Sequence, residues 1–254
     1  MIESSQNKKI KLVSNLLSTK KFRDNEGLFV VESKKTIEDY HERMDIEFIL
    51  KSEEVELNFE DERIIEVKDN VIKKLSETVT TQGVIAVCKK KECTIDNMLD
   101  SDNKFIVILE EIQDPGNLGT IIRTADAAGA SGVIISKGSV DLYNPKVVRS
   151  TMGSLFNIST IDGVNLESVI NKLKNKDVKV LGAHLRTDKM AYDLELKNNI
   201  AFVIGNEGNG LSDEVTELCD MKVKLPIIGD SESLNAAMAS GILLYEVVRQ
   251  RLYS

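Results

Sequence analysis

The sequence is poor in the residues that build disulfide frameworks and metal centres. Its three cysteines, Cys88, Cys93 and Cys219, are odd in number and form no CxxC pair, which argues against a disulfide scaffold and a zinc site. With two histidines, His41 and His184, a histidine-rich metal centre is excluded. We therefore expect a protein that uses no metal.

Long apolar runs are also missing. No run approaches the roughly 20 residues that a membrane span needs, and residues 1–30 hold no apolar stretch typical of a signal peptide. We expect a cytoplasmic protein with no membrane partner. The 254 residues, 42% hydrophobic and 29% charged, are ordinary for a globular protein and allow one large domain or two smaller ones.

An excess of positive charge is absent from the chain as a whole. The formal net charge of −8 argues against a partner whose surface is mostly phosphate. The charge is uneven, however: residues 1–24 carry +4, residues 25–70 carry −9 and residues 71–91 carry +4. Two basic stretches that flank an acidic one indicate a local basic face.

The pattern of apolar residues predicts two domains. Short helices and strands alternate over residues 1–92 and indicate a small α/β domain, and the polar residues 93–103 are the expected linker. From Lys104 onward, continuous apolar strands alternate with helices, which predicts a mostly parallel sheet in residues 104–254. Ligands of such sheets bind at the carboxyl ends of the strands.

Three loops of this second domain follow predicted strands and could carry chemistry. They are Asp114-Pro-Gly-Asn-Leu-Gly119, Gly205-Asn-Glu-Gly-Asn-Gly210 and residues 224–235. Glycines let backbone amides approach a ligand, so the second loop suggests a nucleotide, although a plain tight turn explains it as well. Its spacing matches neither the dinucleotide fingerprint nor a P-loop. From the residues alone we predict a nucleotide-like ligand at a three-loop site.

The polar residues of these loops also have capping interpretations. Asn117 or its neighbours can cap a helix over 120–128, and Ser231 or Ser233 can cap a long helix from about residue 233 to 252. Arg123 is predicted near the first turn of its helix, where the dipole disfavours a cation, so we expect a phosphate or carboxylate partner, with Glu207 the internal candidate. No Ser-His-Asp triad or carboxylate pair is recognisable.

Together the three loops resemble the signature motifs of the SpoU/TrmH family of RNA ribose methyltransferases, in the SPOUT superfamily. The matching stretches are residues 114–129, 202–212 (Phe-Val-Ile-Gly-Asn-Glu-Gly-Asn-Gly-Leu-Ser) and 225–239 (Leu-Pro-Ile-Ile-Gly-Asp-Ser-Glu-Ser-Leu-Asn-Ala-Ala-Met-Ala). In the N-terminal part, Asn7, Lys11 and residues 21–23, 29–32 and 75–83 resemble the substrate-binding domain of the family. The resemblance covers nearly the whole chain.

This resemblance implies an α/β fold whose C-terminal, mostly parallel sheet contains a deep trefoil knot, preceded by a small α/β substrate-binding domain. It also implies a homodimer that binds S-adenosylmethionine (AdoMet) in the knot and methylates the ribose 2′-oxygen of structured RNA, with 23S ribosomal RNA the expected substrate. The alternatives are a tRNA ribose methyltransferase and a non-catalytic RNA-binding or ribosome-assembly factor on the same fold. A Rossmann-like dehydrogenase fails on motif spacing.

Site residues are implied by position in the motifs. Arg123 matches the catalytic arginine; since a guanidinium hardly deprotonates, we expect it to hold a phosphate and stabilise alkoxide character. Asn117, Glu207 and Asn235 would orient donor, substrate and arginine. The residues expected to bind AdoMet are Gly182, Ala183, Ile204, Gly205, Gly210, Leu225, Ile227, Ser233 and Leu234, and those expected to bind RNA are Asn7, Lys8, Lys11, Arg23 and Arg149.

One position departs from the family pattern. Within residues 148–156, Thr151 stands where the family usually has serine. A hydroxyl is kept, so activity is expected, although the substrate can differ in detail. The acidic excess of residues 25–70 is interpreted as protection against indiscriminate RNA binding, with recognition left to shape and a local basic face.

Overall fold

The computed structural model describes residues 1–75, 82–100 and 104–253. The predicted strand over 84–88 is among them, whereas most of the family-like stretch 75–83 and the end of the predicted linker lie outside. Contacts divide the chain into two compact units: Met1–Lys91 with Asp141–Phe156, and Glu92–Val140 with Asn157–Ser254. Residues 141–156 thus group with the first unit, although they follow the start of the second unit in sequence.

The described residues contain both helices and strands. The helices are α1 (Lys8–Ser18), α2 (Lys20–Glu26), α3 (Lys34–Tyr40), α4 (Asp69–Ile72), α5 (Ile95–Leu99), α6 (Pro115–Ala127), α7 (Pro145–Ser150), α8 (Leu166–Lys174), α9 (Asp213–Leu218) and α10 (Ala236–Tyr253). The strands are β1 (Leu28–Val31), β2 (Ile46–Ser52), β3 (Ile64–Val67), β4 (Val84–Lys89), β5 (Phe105–Leu109), β6 (Gly132–Ser136), β7 (Thr160–Val164), β8 (Lys179–Ala183), β9 (Ile200–Ile204) and β10 (Met221–Val223). Short 3-10 turns cover His41–Arg43, Ser154–Phe156 and Ala191–Asp193.

The first unit is built on a mixed sheet in the order β1-β4-β2-β3. Strand β4 runs antiparallel to both neighbours, and β2 pairs parallel with β3. Helix α1 covers this sheet because its buried residues, Ile10, Val13, Leu16 and Leu17, recur at helical spacing on one face. They join the apolar core with Phe48, Leu50 and Val87.

Residues 141–156 are tied to the first unit by charge and by aromatic packing. The Arg23 guanidinium donates to Asp141 Oδ2 at 2.6 and 2.9 Å, with both side chains buried. Arg149 forms a 2.6 Å ion pair with Glu32. The Phe29 ring lies 4.6 Å from that of Tyr143. These contacts explain why the segment groups with the first unit.

The second unit contains a parallel sheet in the order β10-β8-β9-β5-β6-β7, six strands within the described residues. The central strands β5 and β9 are buried along their whole length, as expected for a sheet covered on both faces. Because all the strands are parallel, their carboxyl ends share one edge, and the loops that leave β5, β8, β9 and β10 start on neighbouring strands. The α/β fold and the parallel sheet are confirmed.

Two helices begin at other residues than the sequence predicts. Helix α6 starts at Pro115, not Thr120, because Asp114 caps it and proline at the first position needs no backbone donor. Helix α10 starts at Ala236; its cap is Asn235, whose Oδ1 accepts from the amides of Ala237 and Met238, so the prediction of Ser231 or Ser233 as the cap is wrong. In the stretch predicted as a linker, helix α5 buries Met98.

None of the helices in the described ranges is long and apolar enough to span a bilayer.

Candidate functional site

The three motif loops belong to the second unit and follow three strands in one half of its sheet. The 114–119 loop follows β5, the 205–210 loop follows the neighbouring strand β9, and the 224–235 loop follows β10, the outermost strand on that side. Strand β8, with Gly182 and Ala183 at its end, lies between β9 and β10. The sheet order therefore brings all of these residues to the edge formed by the carboxyl ends of the strands.

The Glu207 carboxylate joins the second loop to the start of α6. It accepts hydrogen bonds from the backbone N–H of Gln113 (3.1 Å), the backbone N–H of Asp114 (3.0 Å) and Asn117 Nδ2 (3.0 Å). Burial raises the pKa of Glu207, but the hydrogen bonds from Asn117, Gln113 and Asp114 outweigh burial, so the pKa lies below its usual value. The group is an ionised acceptor whose lone pairs are engaged.

Asn117 links this carboxylate to the third loop. Its Oδ1 accepts from Asn235 Nδ2 at 3.0 Å, while its Nδ2 donates to Glu207. Asn235 uses its own Oδ1 to cap α10. A chain of side-chain hydrogen bonds from Glu207 through Asn117 to Asn235 thus connects all three loops. Sequence reasoning named these three residues, and the structure brings them together.

Arg123 does not pair with Glu207 as the sequence suggested. Because α6 begins at Pro115, Arg123 lies in its third turn, beyond the positive end of the helix dipole. Its side chain is exposed, and within the described residues it has neither a hydrogen bond nor an ion pair. The guanidinium therefore remains available to a bound anion.

The 205–210 loop is shaped by a residue that sequence reasoning missed. Asn206 Oδ1 accepts from the amides of Gly208 and Asn209, and its Nδ2 donates to the carbonyl of Glu111. A Cβ at Gly205 would collide with the backbone of Gly210 and Leu211. An asparagine that opens a glycine-rich turn is the signal that could have identified Asn206 as an organising residue.

Glu110, at the carboxyl end of β5, fixes the far side of the same loop. It accepts from the amide and the hydroxyl of Ser212, at 3.0 and 2.6 Å, and it is buried. Ser212 in turn caps α9. Sequence reasoning missed this pair too, because the two residues are 102 positions apart.

The residues expected to bind AdoMet surround these loops. Ile204 is buried at the end of β9, and Gly210 has a φ of 72° that favours glycine. Gly182 is buried where an added Cβ would lie 3.0 Å from both Cys219 Sγ and Leu211 Cδ1. Packing therefore leaves little room for a side chain at Gly182, and the backbone conformation favours glycine at position 210.

The third loop leaves most of its backbone groups free. Over residues 225–234, all of them described, the structure shows one intramolecular hydrogen bond, from Ser231 Oγ to the Ser233 carbonyl at 2.8 Å. Leu225 and Ile227 are half-buried, whereas Ser233 and Leu234 are exposed. The loop thus offers main-chain donors and acceptors beside apolar side chains.

The residues expected to contact RNA lie in the first unit. Asn7 caps α1 by accepting from the Lys9 amide, and Lys8 and Lys11 are exposed. The prediction for Arg23 is corrected: its side chain is 4% exposed and is engaged by Asp141 and by the carbonyls of Leu16 and Leu17, so no face is left for an RNA phosphate.

Arg149 and Thr151 have internal partners in residues 141–156. Arg149 keeps part of its surface exposed while it pairs with Glu32. Thr151 is fully buried, and its hydroxyl donates to the carbonyl of Val148 at 2.8 Å. The hydroxyl at this position therefore supports the end of α7.

The described part of the chain contains no group of three or more His, Cys, Asp or Glu placed to hold a metal ion.

Two family models together match most of the chain. Residues 104–245 match the model of the SpoU rRNA Methylase family, and residues 7–86 match that of the MRM3-like substrate binding domain. The 23S rRNA (guanosine(2553)-2'-O)-methyltransferase RlmP of Bacillus subtilis is 34% identical over 250 residues, which cover 97% of this chain and 98% of that protein.

Two solved structures resemble the chain along nearly its whole length. The SpoU methyltransferase AviRb from Streptomyces viridochromogenes, in complex with the cofactor AdoMet, has a TM-score of 0.90 and 28% identity, covering 98% of this chain and 100% of that one. The AdoMet-bound rRNA methyltransferase from Sinorhizobium meliloti has a TM-score of 0.86 and 30% identity, covering 100% and 98%.

Proposed function

The chain belongs to the SpoU rRNA Methylase family, and we propose that it transfers a methyl group from AdoMet to the 2′-oxygen of a ribose in 23S ribosomal RNA. The observation that carries the proposal is the hydrogen-bonded chain from Glu207 through Asn117 to Asn235, which assembles the three family motifs at one sheet edge. The relatives named above support AdoMet as donor and rRNA as substrate.

The loops at the sheet edge fit AdoMet. The free backbone groups of residues 225–234 can bond the edge of an adenine, and Leu225 and Ile227 supply apolar contact for its faces. The remaining residues proposed to line this site are Gly182, Ala183, Ile204, Gly205, Gly210, Ser233 and Leu234. When bound, AdoMet supplies a methyl group on a positively charged sulfur, which a hydroxyl oxygen can attack.

Arg123 is the proposed catalytic residue. Its guanidinium has five donors and does not deprotonate at neutral pH, so it acts by holding a substrate phosphate and by stabilising negative charge on the attacking 2′-oxygen. In the transfer, the 2′-oxygen would gain the methyl group and its proton would pass to solvent water, while the electron pair of the broken carbon–sulfur bond would stay with the donor. An unpaired, exposed arginine suits this role because no internal bond must break first.

Glu207, Asn117 and Asn235 are proposed as positioning residues. The ionised Glu207 already accepts three hydrogen bonds, so it is poorly suited to remove a proton and well suited to fix the start of α6. Since Arg123 lies on that helix, the carboxylate holds in place the helix that carries the guanidinium. Asn235 couples the same network to the start of α10.

The first domain, residues 1–92, is proposed to bind the RNA, with Asn7, Lys8 and Lys11 as contacts and Arg149 contributing from residues 141–156. Residues 93–103 would be the linker and residues 104–254 the methyltransferase domain. The match of residues 7–86 to a substrate binding domain supports this division. We place the enzyme in the cytoplasm, with no membrane partner and no metal.

The trefoil knot and the homodimer are also proposals. Helix α10 supports a dimer because Met238, Tyr245 and Leu252, at intervals of seven residues, are 61%, 50% and 68% exposed. We expect sedimentation at micromolar concentration to show a dimer and Tyr245→Glu to show a monomer. A monomeric wild-type protein would contradict the proposal.

Methyl mapping tests the proposed function. The protein is incubated with labelled AdoMet and either ribosomal RNA or tRNA, and 2′-O-methyl groups are located by mass spectrometry. We expect a methyl in 23S rRNA, and a loss of about 10²–10³-fold in rate for Arg123→Ala with AdoMet binding retained in calorimetry. A methyl group found in tRNA alone would contradict the proposal that 23S rRNA is the substrate. RNA binding without AdoMet binding would favour the non-catalytic factor.

A further inference from the structure

A cavity outside the methyltransferase site opens on the first unit. It lies between the start of the chain, α1 and α4, and has a volume of about 380 Å³. Its floor is formed by Ile10, Val71 and Leu75, three buried members of the apolar core. The cavity is open to solvent on one side, and its volume lies at the lower end of the roughly 300–1,000 Å³ range of small-ligand sites.

The rim of this cavity is polar and its net charge is positive. The rim residues are Ser5, Gln6, Lys11, Ser14, Asn15 and Lys74. Within the described ranges, none of these six side chains makes a hydrogen bond or an ion pair, and no acidic side chain lines the cavity. Because no acidic side chain offsets Lys11 and Lys74, the potential at the rim is positive and favours an anionic ligand.

The chemistry of the cavity matches a single nucleotide. An aliphatic floor can contact the flat face of a base, hydroxyl and amide side chains can bond its edges, and two ammonium groups can neutralise the phosphates on either side. A paired base within an A-form helix cannot enter, because its faces are stacked on the neighbouring bases and its pairing edge is occupied. Unstacked nucleotides in loops and bulges expose both. With no aromatic ring in the lining, little base selectivity is expected from stacking.

We propose that this cavity binds one unpaired nucleotide of the substrate RNA, with Lys11 and Lys74 on its flanking phosphates. The proposal rests on the proposed function, since it assumes an RNA substrate. It adds the place where the RNA binds, a cavity of about 380 Å³, and the requirement that the bound nucleotide is unpaired. The domain thereby selects a loop or bulge and holds the RNA at one point.

The test fills the cavity without changing charge. Ser14→Trp places an indole on the exposed face of α1, where tryptophan and serine have similar helix propensities. Ser18→Trp is the matched control, because Ser18 is exposed on the same helix and does not line the cavity. Fluorescence anisotropy of the full-length protein measures binding of a fluorescein-labelled RNA hairpin with an unpaired loop, and of a blunt RNA duplex of equal length.

We expect Ser14→Trp to weaken hairpin binding at least tenfold and duplex binding less than twofold, with Ser18→Trp close to wild type on both. In Lys11→Gln/Lys74→Gln, the slope of log affinity against log salt should fall by about 1.4, since each phosphate contact on a single strand contributes about 0.7. Lys176→Gln/Lys179→Gln, which removes the same charge from two exposed residues of the second unit, should leave the slope unchanged.

Hairpin binding by Ser14→Trp within twofold of wild type would overturn the proposal. An equal loss on hairpin and duplex would overturn it as well, because the cavity would then not distinguish unpaired nucleotides. Methyl transfer is measured separately on the wild-type protein. Absence of a methyl on every RNA, together with intact discrimination between hairpin and duplex, would refute the proposed reaction and leave the nucleotide pocket standing.

Discussion

Substitution of Asp141 by asparagine removes one charge from the buried Arg23–Asp141 pair without opening a cavity. The two side chains are 4% and 6% exposed, so the Arg23 guanidinium would stay in the interior with a neutral partner. Removal of one member of a buried pair typically costs about 3–5 kcal/mol. We expect the lower end, about 3 kcal/mol, because the amide oxygen of asparagine still accepts one hydrogen bond.

This loss should be visible in a thermal melt. For a chain of this size, 1 kcal/mol shifts the midpoint by about 2–4 °C, so Asp141→Asn should lower it by about 6–12 °C. Circular dichroism gives the midpoint. The control is Asp96→Asn, the same chemical change at an ion pair with Lys172 of 2.8 Å whose aspartate is 67% exposed, and its cost should stay below about 1 kcal/mol.

A second variant separates the charge from the contact. Arg23→Met/Asp141→Leu replaces both members by apolar side chains, which is often close to neutral for buried pairs. Here we expect the double variant to recover at least half of the lost stability. The recovery should be incomplete because the carbonyls of Leu16 and Leu17 lose the donor that Arg23 provides. Equal midpoints for Asp141→Asn and Asp96→Asn, or a double variant less stable than Asp141→Asn, would refute the assignment of Arg23 to the interior.

Three further predictions concern the site and the acid stability. Gly205→Ala should weaken AdoMet binding at least tenfold in calorimetry, because the new Cβ collides with the backbone of Gly210 and Leu211. Gly241→Ala in α10, whose Cβ would lie at an ordinary 3.7 Å from Thr124 Cγ2, should bind normally, and equal affinities of the two variants would contradict the argument. Glu207→Gln should lower the rate of methyl transfer, since the NH2 group of the glutamine would face the donor Asn117 Nδ2. Adding Asn117→Asp should restore part of that rate, because the glutamine can then donate to the aspartate. A double variant as slow as Glu207→Gln would count against a positioning role. The Arg63 hydrogen bond holds the pKa of Asp61 at about 2, below its usual 3.8, so this carboxylate stabilises the fold above pH 3.8 and the stabilisation is lost between there and about pH 2. Asp61→Asn should therefore be less stable at neutral pH and lose less stability on acidification, as followed by circular dichroism, with the exposed Asp188→Asn as control.

The placement of the site could be predicted because it depends on local patterns. Continuous apolar strands indicate a parallel sheet, and a parallel sheet brings the ends of β5, β9 and β10 to one edge, as the structure shows. The motif residues Asn117, Glu207 and Asn235 follow those strands. The sequence therefore allowed us to predict that these side chains lie close together, but not which of them donates and which accepts each hydrogen bond.

The pairing of Arg123 failed for a physical reason that lies in helix α6. The prediction placed the start of α6 at Thr120 and invoked the helix dipole to bring a carboxylate to Arg123. Asp114 and Pro115 start the helix five residues earlier, so the dipole argument does not apply at the third turn. Glu207 instead meets the backbone amides at the true start of α6, where an anion is stabilised.

Arg23 illustrates what local patterns cannot show. The family resemblance placed Arg23 among the RNA contacts, but the partner that draws its side chain into the interior lies 118 residues away. The same limit applies to Glu110 and Ser212, whose contact depends on the order of the strands. Long-range pairs of this kind become visible once the tertiary structure is known.

The distribution of ion pairs explains how an acidic chain can still present a basic RNA surface. Much of the acidic block 25–70 is engaged within the first unit: Asp69 pairs with Lys73, and Glu66 pairs with Lys51. Lys11 and Lys74, in contrast, have no ion pair among the described residues. The net charge of −8 is therefore compatible with a strongly local attraction for phosphate, because an ion-paired lysine attracts phosphate less than an unpaired one. Binding should consequently depend on a few lysines around the cavity, and the number of phosphates they contact will determine how steeply affinity falls with salt.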